Sequence, residues 1–102
     1  MAWTNVGDMR EIGSGEGRAF EVAGRKIAVF NLDGNFYALD DACPHRGGPL
    51  SEGSVSEGSV SCPWHSARFD IKTGQHLSPP ASRGVSSFPI KNEGTQIQVE
   101  LS

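Results

Sequence analysis

Polar and apolar residues alternate along much of the chain with the two-residue period of a β-strand, which sends successive side chains to opposite faces of a sheet. Gln96-Ile97-Gln98-Val99-Glu100-Leu101 alternates without a break and predicts a half-buried antiparallel strand. Arg18-Ala19-Phe20-Glu21-Val22 alternates too, and Ala23-Gly24 offers a tight turn into a second strand, Lys26 to Leu32. Asp33-Gly34 reads as a hairpin turn, because a type I′ turn needs positive φ at both central residues. It leads to a third strand around Phe36 to Leu39, and Asn92-Glu93-Gly94 joins a strand ending near Ile90 to the closing one. Only Asp8 to Ile12 fits a helical turn, which Gly13, Gly15 and Gly17 end. Those glycines lack the G-x-G-x-x-G spacing and no helix pattern follows, so they are read as a loop. The chain is all-β with short strands, and Trp3, Phe20, Phe30 and Phe36 are expected in its core.

Residues 41–70 break this rhythm and read as an excursion from the β scaffold. Within it, Ser-Glu-Gly-Ser-Val occurs twice in tandem over residues 51–60. Two short copies cannot stack into a solenoid, so they are expected in different loop and strand-entry positions. Both cysteines and two of the three histidines fall in the excursion.

Composition bounds the rest. A chain of 102 residues has room for one domain, and its 36% hydrophobic share approaches the usual half once the 13 glycines are included. The nine Lys and Arg residues are scattered from Arg10 to Lys91 in a chain of net charge −3, so nucleic-acid binding is not expected. Ile27-Ala28-Val29-Phe30 is the longest strongly apolar run, far short of the roughly 20 residues that span a bilayer. Met1-Ala2-Trp3-Thr4-Asn5 carries no secretory pattern, and a soluble cytoplasmic protein without a membrane partner is expected.

The chemistry lies in two short segments, Cys43-Pro44-His45-Arg46-Gly47-Gly48 and Cys62-Pro63-Trp64-His65. Each offers a thiolate and an imidazole within a few positions, and sixteen residues separate His45 from Cys62. The proline after each cysteine fixes its own φ and holds the cysteine extended, preorganising both loops. A Cys43–Cys62 disulfide would leave the paired histidines unexplained and does not suit a cytoplasmic setting. A tetrahedral zinc site is chemically sound, but zinc fingers usually group Cys with Cys and His with His. A [2Fe–2S] cluster with two cysteines on one iron and two histidines on the other suits the mixed loops best. A nucleophilic Cys62 paired with His65 explains only half of the four residues. His76 lies outside both loops and is read as a turn or strand residue, and Arg46 and Arg68 as solvated charges offset by Glu52 and Glu57.

Cys43-x-His45 followed by Cys62-x-x-His65 resembles the Rieske iron–sulfur family, and the match continues through Phe69-Asp70, Thr73-Gly74 and Pro79-Pro80-Ala81 to the closing strands. The resemblance implies a small antiparallel β-sandwich over residues 1–102, with two cluster-binding loops inserted in the scaffold. It implies that Cys43 and Cys62 hold the inner iron of one [2Fe–2S] cluster and His45 and His65 the outer one. Respiratory and photosynthetic members carry an extra cysteine in each loop, where Gly48 and Trp64 stand here, so the bracing disulfide is absent. Their serine and tyrosine donors to cluster sulfur are matched by Ala67 and Phe69, which have none, so a lower potential is expected. Ser66 departs from the family's usual glycine after the second histidine.

Among its soluble branches the chain is most similar to the ferredoxins of aromatic-ring dioxygenase systems. The resemblance implies a non-enzymatic carrier of single electrons from an NAD(P)H-dependent flavoprotein reductase to a terminal oxygenase, docking near His45 and His65. The chain has no room for a non-haem iron domain of its own. The second reading is the Rieske-like small subunit of an assimilatory nitrite reductase, and the third a zinc-stabilised binding module.

Overall fold

The computed structural model describes residues 3–22, 24–41, 49–63, 68–75, 77 and 85–100. These residues form ten strands: β1 Trp3–Asp8, β2 Glu16–Val22, β3 Arg25–Leu32, β4 Asn35–Asp40, β5 Ser54–Ser56, β6 Ser59–Ser61, β7 Arg68–Asp70, β8 Ser87–Phe88, β9 Ile90–Glu93 and β10 Gln96–Glu100. Single 3₁₀ turns occupy Met9–Glu11 and Leu50–Glu52. The strands make three sheets, in the orders β1-β10-β9, β2-β3-β4-β8 and β5-β6-β7, with every pair antiparallel. Among the described residues, no helix is long and apolar enough to cross a membrane.

The uninterrupted apolar run Ile27–Phe30 becomes the middle of β3, because that strand is covered on both faces. Ile27 and Val29 join Phe36 and Ala38 of β4 against Ile97 and Val99 of β10, closing a two-sheet sandwich. Ala28 and Phe30 join Leu39 on the opposite face, where Leu50, Val60, Cys62, Phe69 and Ile71 pack on them. The period-two geometry of a strand lets β3 and β4 serve two cores at once. One core holds the sandwich together, and the other seats the excursion on it.

The expected turn at Asp33-Gly34 is present, with φ of 54° and 92°, and pairs β3 with β4 in the Ile27↔Asp40 to Leu32↔Asn35 register. The closing hairpin differs from expectation. A strand begins at Ile90 rather than ending there, because Pro89 has no N–H to continue β8, and the turn is Gly94-Thr95. At Pro89 the chain leaves the edge of β4 and joins β10 in the other sheet. Trp3 also departs from expectation: it is 38% exposed, with the Lys91 ammonium 4.6 Å from its ring centroid, so it packs through a cation–π contact on the outer face. Phe30 and Phe36 are buried, and Phe20 is half-buried against the sandwich core. The tip of the final strand, Leu101, and Ala23 of the first turn lie outside the described residues.

The helical turn expected near Asp8 is capped by that residue. Its Oδ1 accepts the Arg10 backbone N–H at 2.8 Å and Nε at 3.0 Å, while Oδ2 accepts Nη2 at 2.7 Å. These bonds, the guanidinium's first among them, hold the Asp8 carboxyl down at about 2 and raise the Arg10 pKa.

Candidate metal centre

Of the four predicted ligands, Cys62 is among the described residues, while Cys43, His45 and His65 lie outside them. Arg46, Gly47, Gly48, Trp64, Ser66, Ala67, His76 and Pro79 to Ala81 also lie outside. What the structure does show is where the two segments leave the scaffold and return to it.

The first loop leaves at the end of β4 and returns at Pro49. Asp41, 2% exposed, closes it at the base. Its backbone N–H donates to the Lys26 carbonyl at 3.1 Å, extending the β3–β4 ladder by one residue. Its carbonyl accepts the Leu50 N–H at 2.8 Å, and its Oδ1 accepts the buried Ser51 N–H at 2.8 Å. The two ends of the loop are therefore stitched together directly above β3.

The second loop leaves from Cys62 and Pro63, just past β6, and returns at Arg68. The Ser61↔Arg68 pairing of β6 with β7 closes its base. Cys62 is 4% exposed and shares a core with Leu50, the residue on which the first loop closes. Gly53 ties the roots together as well: a Cβ there would drive into the Ser61 carbonyl, one residue before Cys62, so only glycine permits this approach. The described roots of the two segments, at Leu50 and at Cys62, thus share one apolar floor.

That floor determines the chemistry. Cys62 is shielded from water there, and a metal that binds a thiol keeps it deprotonated. Phe69 is fully buried in the same core and adds an aromatic wall beside Cys62. Arg68 is exposed at the exit of the loop, and its Nη2 donates to Ser59 Oγ at 3.0 Å. Leu77, 51% exposed, is held opposite it by an N–H bond to the Arg68 carbonyl at 2.7 Å. Sequence reasoning passed over Asp41, Gly53 and Leu77, because each owes its role to a neighbour distant in sequence.

The family model for the Rieske [2Fe–2S] domain matches residues 2–89. The chain belongs to this family. This Rieske chain is 31% identical over 100 residues to the ferredoxin component of the naphthalene 1,2-dioxygenase system from Pseudomonas aeruginosa, covering 98% of this chain and 96% of that protein. In structure it resembles the ferredoxin of carbazole 1,9a-dioxygenase from Nocardioides aromaticivorans IC177, with a TM-score of 0.94, 27% identity and full coverage of both chains. It also resembles a chain in the complex of reduced oxygenase and oxidized ferredoxin in carbazole 1,9a-dioxygenase, with a TM-score of 0.89, 27% identity and 98% and 97% coverage.

The Rieske domain calls for a [2Fe–2S] cluster, and Cys62, the predicted donor among the described residues, fits one. A buried cysteine at the apolar root suits the inner, sulfur-ligated iron, and the two loops rooted beside each other can bring thiolate and imidazole donors together.

Proposed function

We propose that this Rieske protein is a cytoplasmic ferredoxin carrying single electrons from an NAD(P)H-dependent flavoprotein reductase to a terminal oxygenase of the aromatic-ring-hydroxylating class. The observation that carries this reading is likeness along the full length of dioxygenase ferredoxins, in sequence and in backbone alike. The role is that of an electron-transfer component; substrate chemistry belongs to the oxygenase.

Cys43 and Cys62 would hold the inner iron, and His45 and His65 the outer one. When bound, the cluster supplies a reversible one-electron couple. With two ferric ions, two sulfides, two thiolates and neutral imidazoles, the oxidised centre is neutral, so an electron enters more easily than into an all-cysteine cluster. Two-histidine centres span roughly −150 to +300 mV, and Phe69 and Ala67, lacking donors to sulfur, point to the lower part of that range.

The protein's own residues do the remaining work. The floor of Phe30, Leu50, Val60 and Phe69 would keep water from the Cys62 side of a bound cluster, and His45 and His65 would then offer the route for the electron. Docking near His45 and His65 is supported by what flanks the second loop: the exposed cation of Arg68 beside the exposed Leu77. Such a pairing gives a partner both an apolar contact and a charge for orientation.

The test is reconstitution of the purified protein with a flavoprotein reductase and a ring-hydroxylating oxygenase. Oxygenase turnover that depends on added protein is expected. Absence of turnover there, with support of nitrite reduction alongside a nitrite reductase large subunit, would overturn this reading in favour of the other Rieske branch.

A further inference from the structure

Pro49 precedes the 3₁₀ turn Leu50–Glu52 in the position where a capping side chain normally sits, and proline has no side-chain acceptor to offer. The Ser51 N–H nevertheless is buried and satisfied, because Asp41 Oδ1 reaches it from ten residues away. Sequence-local caps stabilise a turn. This one joins the start of the first ligand loop to its end.

The geometry points to Asp41 as a positioning residue that fixes the root of the first segment, at Pro49 to Ser51, against the root of the second, at Ser61 and Cys62. Three bonds define its place: Lys26 of β3 below, Leu50 and Ser51 across the loop. From Ser51 the constraint passes two residues on to Gly53, which packs against the Ser61 carbonyl beside Cys62. Leu50 and Cys62 then meet in one core. The Asp41 backbone makes two of these bonds and its side chain the third, to Ser51; that side-chain bond is the one that ties the start of the segment carrying Cys43 and His45 to the stretch packed beside Cys62. The role needs an acceptor atom at this place rather than a charge. The inference rests on the proposed four-ligand cluster.

The test compares Asp41→Ala, Asp41→Asn and Asp41→Glu with wild type in the cluster-loaded protein, with Asp8→Ala as control. Asp8→Ala also removes a cap from a 3₁₀ turn, but one whose Met9 and neighbouring Ile12 belong to the sandwich core rather than to the core of Leu50 and Cys62. The readouts are the rate at which visible absorbance bleaches below the melting transition and the EPR spectrum of the reduced cluster. Stranding a buried N–H in Asp41→Ala should speed bleaching roughly tenfold and shift the EPR signal. Asp41→Asn, which keeps an acceptor at the same reach, should match wild type, and Asp8→Ala should melt earlier while bleaching at the wild-type rate. Wild-type bleaching and EPR in Asp41→Ala would overturn the inference, as would equal acceleration by Asp8→Ala or failure of Asp41→Asn to restore the cluster. If Asp41→Ala does not accumulate, Asp41→Glu decides: its longer side chain should displace the loop and alter the EPR signal, and an unchanged signal contradicts the role. A wild-type protein that purifies without iron overturns the cluster reading itself and the inference with it.

Discussion

Asp8 and Asp41 each cap one turn of 3₁₀ helix, yet they reach it differently. Asp8 accepts an N–H two residues on, a contact within the reach of local sequence reasoning, and its charge is shared with Arg10. Because its folded pKa of about 2 lies below the ordinary 3.8, its contribution to stability is complete above that ordinary value and disappears as the pH falls through about 2. Asp8→Asn should therefore melt below wild type at neutral pH, with the gap narrowing as the solution becomes more acid than the ordinary carboxylate range; melting followed by circular dichroism across a pH series checks this. Asp41 has no such local signature. Its partners at Lys26, Leu50 and Ser51 come from β3 and from the far side of the loop, so pattern reading could not find them. Phe69 is a similar case: it lies in the stretch that breaks the alternation, and the structure puts it against the same core as Cys62.

At the scale of elements, the hairpin β5–β6 shows what a repeat can conceal. Read as two copies of Ser-Glu-Gly-Ser-Val, residues 51–60 suggest tandem units in different settings. That expectation holds: the first copy passes through the 3₁₀ turn into β5, and the second through a turn into β6. A second symmetry lies across it, since Ser54-Val55-Ser56 mirrors Ser59-Val60-Ser61 about Glu57-Gly58. The structure pairs Val55 with Val60 and gives both turn residues positive φ, 51° and 79°. That two-residue hairpin was legible in the chain, although glutamate is not a usual first turn residue. The two Glu-Gly steps then diverge: Gly58 supplies backbone freedom, whereas Gly53 supplies a close approach to Ser61. Gly53→Ala must push the β6 backbone away from Leu50, at a cost of about 1–3 kcal/mol for an overpacked site. The expected result is a lower melting temperature together with faster loss of cluster absorbance, measured on the same sample. The strand β1 was not signalled beforehand, because Trp3-Thr4-Asn5-Val6-Gly7-Asp8 alternates poorly and its register shifts between Asn5 and Gly7.

At the scale of the whole molecule, β3 and β4 are the hinge of the design. One face closes the sandwich with β10, and the other supports the loops that carry the proposed ligands. Strand periodicity revealed the scaffold, and the Cys/His spacing pointed to the family that the comparison shows. Neither revealed how the two are joined, because that depends on packing between residues remote in sequence. The joining places Cys62 and the roots of both segments on one dry, apolar floor. The most direct measurement is an anaerobic reductive titration of the purified protein, followed by visible absorption and EPR, with iron and acid-labile sulfide determined on the same sample. The account predicts a coloured protein holding two irons and two sulfides per chain and accepting one electron. A colourless, zinc-loaded chain that accepts none would contradict it.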